Sequence, residues 1–323
     1  MKNLLFALLM VSSLYGYAQI DTDIYGTYDR GQHGDPQGFA DLFVLKDHTF
    51  AIIFFGGGVV GTWKMEKDQV IFTPTAAPQT FALYGRHNPD LTDSTRIALM
   101  AFNDDDTFIS LGRKQGAHDV MKRVFNPDAN CVDFPNLMKF KGMQSQIAFT
   151  NRLYQREGAS AILQDTYSFS NSSGYNDFIA YYYTPARSYR PFKAEVKKGG
   201  LQFAGDVITL KKPLPTKKED LEMLNSFQHI ELNPQEVQFN PYYGSYERGD
   251  VKKDNRNYTY NKKKNAWISP LNYTEGEEHK KSDNAFNQTN IIYVFDAIKP
   301  IKSKADFTVD EVPLFTRRCP EDK

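Results

Sequence analysis

Gly56, Gly58 and Gly61 satisfy the G-x-G-x-x-G spacing that lets a backbone approach a dinucleotide pyrophosphate. That chemistry needs a strand turning into a helix whose N-terminus receives the phosphate. Val59, Val60, Thr62 and Trp63 are strand formers, so the glycines read as a hairpin turn instead. Two other pairs approach a metal chelate, Asp47 with His48 and His33 with Asp35. Neighbouring strand residues point to opposite faces, which makes a shared ion awkward for Asp47 and His48, and no metal is expected. Asp104, Asp105 and Asp106 lack the spaced ligands of a calcium loop and read as a solvated turn. G-x-S-x-G, H-E-x-x-H and Cys-x-x-Cys do not occur in the sequence. No catalytic residue and no cofactor is therefore assigned, although carboxylates far apart in sequence could still converge in the fold, as they do in glycosidases.

The 19 tyrosines and 24 phenylalanines carry more information. Tyr181, Tyr182 and Tyr183, with Tyr242, Tyr243, Tyr246, Tyr258 and Tyr260, lie in sequence near Arg187, Arg190, Arg248 and Arg256. Tyrosine and arginine are enriched at binding surfaces, which makes Tyr181, Tyr183, Tyr243, Tyr246 and Arg248 candidates for surface recognition. The alternative is cross-strand packing of tyrosines beside lysines that solubilise an edge. Aromatic and basic residues together can also bind single-stranded nucleic acid. The equal totals of 39 basic and 39 acidic residues, together with export, argue against a nucleic-acid partner.

These side chains must be positioned by strands. From Ile24 to Phe125 short apolar segments alternate with Lys46-Asp47-His48, Gly56-Gly57-Gly58, Glu66-Lys67-Asp68 and Asn103 to Asp106, a spacing that favours an antiparallel meander closed into a barrel. Within it, Phe50, Ile52 and Phe54 face one side while Ala51, Ile53 and Phe55 face the other, so this strand needs cover on both. Phe50, Ile52, Phe54 and Trp63 are candidates to line a cavity for a small apolar ligand; the alternative is a core strand packed on the rest of the chain. Strands continue beyond Cys131, and Leu137 to Gln155 is ambiguous between helix and strand. Thr216 to Glu219 fits a capping box ahead of Leu221, Leu224 and Phe227, which predicts one helix. The expected class is mainly β: residues 1–18 a signal peptide, 19–131 a barrel, and 132–323 a β-rich domain with one or two short helices. The likeness of Tyr25–Gly31 to Tyr243–Gly249 leaves a diverged second barrel-like unit open.

Residues 1–18 have a charged start at Lys2, an apolar stretch from Leu4 to Leu14, and small residues before a cleavage point after Ala18. That stretch is shorter than a membrane span, and no later stretch is apolar enough to be one. The mature chain is therefore expected to be secreted or periplasmic, with no transmembrane segment. In an oxidising compartment the two cysteines, Cys131 and Cys319, are expected to pair and to pin the C-terminus onto the junction of the two parts.

Gly26-Thr27-Tyr28, Gly38 to Phe50, Gly61-Thr62-Trp63 and Asp68 to Phe72 resemble the opening of small lipocalin-like barrels in bacterial envelope proteins. The layout is similar to the copper-resistance, envelope-stress lipoprotein family over about a hundred residues. The resemblance implies a barrel that binds a ligand or senses state. This chain lacks that family's lipid-attachment cysteine and Cys-x-x-Cys, so anchoring, metal and redox roles are not implied. The expected function is an exported, non-enzymatic binding protein whose partner is a small apolar ligand or an envelope protein. The alternative is a carbohydrate-binding or carbohydrate-acting protein whose site forms only in the fold.

Overall fold

The structure, a computed structural model, describes residues 24–30, 40–54, 57–103, 105–112, 114–115, 118–132, 134–154, 161–183, 190–228, 231–246, 258–271, 273–278, 290–304 and 307–319. Residues 1–18, where a signal peptide is expected, lie outside them, as do Gly56, His33, Asp35, Arg187, Arg248 and Arg256. The chain is mainly β and divides into two compact units.

The first unit is built on a closed antiparallel barrel. It contains β1 (Gly26–Asp29), β2 (Asp41–Val44), β3 (Thr49–Phe54), β4 (Gly57–Glu66) and β5 (Gln69–Pro74). The second unit begins with β6 (Phe81–Arg86), β7 (Ser94–Met100), β8 (Asp106–Ser110), β9 (Lys114–Gln115) and β10 (His118–Arg123). It continues through β11 (Leu137–Lys141), β12 (Gln146–Tyr154), β13 (Ala161–Leu163), β14 (Thr166–Ser170) and β15 (Asp177–Tyr182). The chain then returns to the barrel as β16 (Phe192–Lys197), β17 (Gly200–Phe203) and β18 (Ile208–Lys212), followed by helix α1 (Lys218–Gln228). Around the barrel the order is β1-β18-β17-β16-β5-β4-β3-β2. Three of its eight strands thus come from residues 192–212, which differs from the contiguous barrel expected over 19–131. Segment β6–β10 has the same meander-like spacing, but its strands pair elsewhere; spacing alone does not encode which sheet a strand joins.

Alternation explains the barrel's packing. Tyr28, Leu42, Val44, Phe50, Phe72, Leu201 and Phe203 point inward and are buried. Phe50 meets Phe72 edge-on at 5.2 Å between centroids, and Phe72 stacks on Phe192 at 4.8 Å. The opposite face of β3 is covered by the helix, where Ala51 and Ile53 pack with Phe43, Val60 and Leu224. Strand β4 admits α1 because Gly58 has no side chain: a Cβ there would sit 3.0 Å from the Phe227 ring. The expected helix is therefore present, with Leu224 buried and Phe227 partly buried, whereas Leu221, expected on the same apolar face, is 47% exposed.

The second unit is completed by β19 (Glu236–Phe239), β20 (Ser245–Tyr246), β21 (Thr259–Asn261), β22 (Ala266–Ile268), β23 (Ile291–Ile298), β24 (Pro300–Ser303) and β25 (Phe307–Asp310). One sheet runs β24-β14-β12-β8-β10-β25 and the other β11-β7-β15-β6-β23-β19-β20. Their facing sides share a core that includes Phe81, Phe102, Phe149, Phe169 and Phe178, with Phe81 stacked on Phe149 at 5.5 Å. The ambiguous stretch from Leu137 resolves into β11 and β12. Both ends of the Cys131–Cys319 disulfide, whose Cα atoms are 5.1 Å apart, lie in this unit. The bridge ties the C-terminal segment to the loop after β10, rather than to the expected junction of the two parts. Phe315 stacks on Phe125 there at 5.1 Å, and the Cys319 amide donates to Asn130 Oδ1 at 2.7 Å. Among the described residues no helix is long and apolar enough to cross a membrane.

Candidate functional site

Register builds the most unusual polar cluster in the second unit. Asp177, the first residue of β15, is the cross-strand partner of Arg86 on β6 and of Arg96 on β7. One carboxylate therefore sits between two guanidinium groups in a single row across three adjacent strands. The following residues alternate, so Phe178, Ala180 and Tyr182 enter the core between the sheets, while Asp177, Ile179 and Tyr181 lie on the other face with Tyr84, Phe239 and Phe295.

Asp177 is fully buried. Arg96 grips it with two bonds, Nε to Oδ1 at 3.0 Å and Nη2 to Oδ2 at 2.8 Å. Arg86 Nη2 reaches Oδ2 at 2.7 Å, and Asn88 Nδ2 donates to the same oxygen at 3.0 Å. The Tyr243 hydroxyl donates to Oδ1 at 3.3 Å. Burial alone would raise the Asp177 pKa. The Arg96 hydrogen bonds and the charges of both arginines outweigh it, so the carboxyl is held below its ordinary value. Burial raises the Tyr243 pKa, and the Asp177 charge adds to that shift, so its hydroxyl stays protonated as a donor.

The surroundings fix these groups. Arg86 lies over the Tyr293 ring at 3.7 Å and Arg96 over Tyr243 at 5.2 Å. Asn88 and Asn176 clamp the strand ends, with the Asn88 amide on Asn176 Oδ1 at 2.7 Å and Asn176 Nδ2 on the Asn88 carbonyl at 2.8 Å. Tyr243 has φ +65°, and its loop is held by Asn240 Oδ1, which accepts from the amides of Tyr242 and Gly244. The Arg86 side chain is only 6% exposed, its Nε has no hydrogen-bond partner, and Arg96 retains 22% exposure.

A second cluster is balanced in charge and serves to hold β25. Arg123 bonds Asp106 and Glu311, Arg152 also bonds Glu311, and both guanidiniums lie over Phe108. Asp105 accepts from Tyr182. Asp105 and Asp106, expected in a solvated turn, are thus partnered, and Asp104 lies outside the described residues.

The sequence-derived candidates scatter. Phe50 is a core residue and Ile52 is partly buried beside it, whereas Phe54 is 44% exposed where β3 ends. Trp63 lies near the other end of β3, its Nε1 donating to the Leu45 carbonyl at 3.0 Å and its ring 4.5 Å from His48. Phe50, Trp63 and Ile52 thus share the barrel's interior cluster, and Phe54 alone of the four lies outside it. A recess of about 240 Å³ on the barrel is lined by Gln69, Lys193, Glu195 and Gln202 with Phe203. Tyr181 and Tyr183 are half-buried and stack at 5.8 Å. Tyr243, expected on a presented surface, is buried at 5% exposure in the cluster with Tyr84, Phe239 and Phe295, its hydroxyl on Asp177. Tyr246 lies on edge strand β20, and Arg248 is outside the described residues.

The glycine and acidic motifs also resolve locally. Gly61 lies in a strand with no helix behind it, close against β5. Asp47 Oδ1 accepts from the Thr49 amide at 3.1 Å, which makes Asp47-His48 a hairpin turn. Among the described residues no group of three or more His, Cys, Asp or Glu side chains is placed to hold a metal.

Sequence reasoning missed Arg86, Arg96 and Asp177. The available signal was a charge within or at the end of a largely buried strand, in Phe81–Arg86, Ser94–Met100 and Asp177–Tyr182, where charges are rare unless paired.

The fold defines a class: a mainly β protein with a closed eight-stranded antiparallel barrel and a second unit of two facing sheets. No family model matches the sequence, no curated protein matches it, and no solved structure matches it.

Proposed function

We propose that the chain is an exported, non-enzymatic binding protein that recognises its ligand at the arginine–tyrosine end of the β7-β15-β6 sheet, with the barrel as a packed scaffold. The carrying observation is the row Arg96–Asp177–Arg86, in which two guanidiniums share one buried carboxylate. One cation would neutralise Asp177, so the row carries a net positive charge. The second cation is held in place by Tyr293 and Asp177 at the edge of an aromatic face, the composition that recurs at recognition sites. The interlocked Phe50, Phe72, Phe192 and Phe203 favour a filled barrel over one that houses an apolar ligand.

The test is native mass spectrometry of protein recovered from the medium or periplasm, as wild type and as Arg96→Gln. The expected result is a small adduct on the wild type and none on the variant. An adduct retained by both, or found on neither, contradicts the reading.

A further inference from the structure

We infer that the Arg86–Arg96 pair forms a binding site for a single carboxylate carried by a small ligand; this rests on the proposed reading of the site and names its ligand class. Of the two guanidiniums, Arg96 spends its Nε and Nη2 edge on Asp177. Arg86 contributes Nη2 to the same carboxylate and keeps a buried Nε donor with no partner. A buried donor without an acceptor is unfavourable, and a second carboxylate oxygen at Nε would satisfy it. The row of three would then hold two cations and two anions.

Access and selectivity follow from burial. Arg86 is enclosed while Arg96 keeps part of its side chain in solvent, so a ligand would meet the pair from the Arg96 side. The enclosure of Arg86 excludes a broad macromolecular face and admits a projecting group. The flat guanidinium fork matches a planar carboxylate. Tyr243 stays neutral and donates to Asp177, so it does not compete as an anion. The opposing influences are Glu278 and the exposed carboxylate Asp90, whose charges both reach Tyr293, the ring beneath Arg86.

The test is nitrogen-15 NMR of the arginine Nε–H signals in the intact protein during titration with acetate, with glucuronate and with phosphate, against chloride at equal ionic strength. The expected result is a saturable shift of the Arg86 and Arg96 signals with acetate and glucuronate. Arg96→Gln should weaken it roughly tenfold or more. Asp90→Asn, at an exposed position and checked for an unchanged melting transition, should strengthen it by roughly two- to fivefold. No shift, a shift equalled by chloride, or tighter binding of phosphate than of either carboxylate overturns the inference. A neutral adduct in the native mass experiment would leave the binding function standing while removing the carboxylate.

Discussion

Arg86 Nη2 lies 2.7 Å from Oδ2 of Asp177, an oxygen that also takes Arg96 Nη2 at 2.8 Å. Cross-strand register alone brings the three side chains together, since Asp177 is opposite Arg86 on one side and Arg96 on the other. The same contact that tethers three central strands also fixes the two cations in which the proposed function resides. Stability and recognition are therefore coupled at this site, and the predictions below separate them.

Acid should weaken the second unit through Asp177. Its folded pKa lies below the unfolded value of about 3.9, so its stabilisation is complete above that value and is lost as pH falls through the folded pKa. Urea unfolding between pH 7 and pH 2.5 measures this. Asp177→Asn should remove that part of the pH dependence and destabilise the protein at pH 7 by about 3–5 kcal/mol, because two guanidiniums lose their counter-ion.

Phe50 tests whether the barrel is filled. Its ring is fully buried among Phe72 and Phe192, so Phe50→Ala should destabilise by about 3–5 kcal/mol. Chemical denaturation gives the number. A loss below about 1 kcal/mol would mean that the ring borders open space instead of other side chains.

Gly61→Ala tests the close approach of β4 to β5. An added Cβ would stand 2.2 Å from the Thr73 carbonyl oxygen, and backbone cannot swing aside as a side chain can. Thermal unfolding should show a loss of about 1–3 kcal/mol or more. Gly112 has φ +72° and open space around it, so alanine there should act only through backbone strain, by about 1 kcal/mol.

Reduction of the Cys131–Cys319 bridge should lower stability by about 2–5 kcal/mol. Hydrogen exchange should quicken first over 307–319, where β25 pairs with β10 and Phe315 meets Phe125. Unchanged protection in that segment after reduction would show that the Arg123, Glu311 and Arg152 contacts hold it unaided.

Much of the local structure was legible in the sequence. Strand β3, its two apolar faces and helix α1 with Leu224 follow from residue alternation and a capping signal, both of which act over a few residues. The strand partners did not follow. That β5 pairs with β16 across more than a hundred residues depends on the competition of the whole chain for edges, and no local residue records it. The site was illegible for a related reason. Asp177, Arg86 and Arg96 are separated in sequence and become neighbours only through the parallel pairing of β15 with β7 and the antiparallel pairing with β6. Tyr243 was visible as an aromatic in a basic stretch, but its packing with Tyr84 and Phe239 and its contact to Asp177 are long-range and no spacing predicts them. Phe315 forms a bridge to Phe125 outside any strand, while β24 and β25 form just before it.

The most direct measurement compares native mass spectra of Phe50→Ala and Arg96→Lys proteins recovered from the medium or periplasm, each checked for a cooperative melting transition. Lysine keeps the charge of Arg96 but not its fork. The account predicts that Phe50→Ala retains the small adduct and Arg96→Lys loses it. An adduct lost with Phe50 and kept with Lys at position 96 would place recognition in the barrel and contradict it.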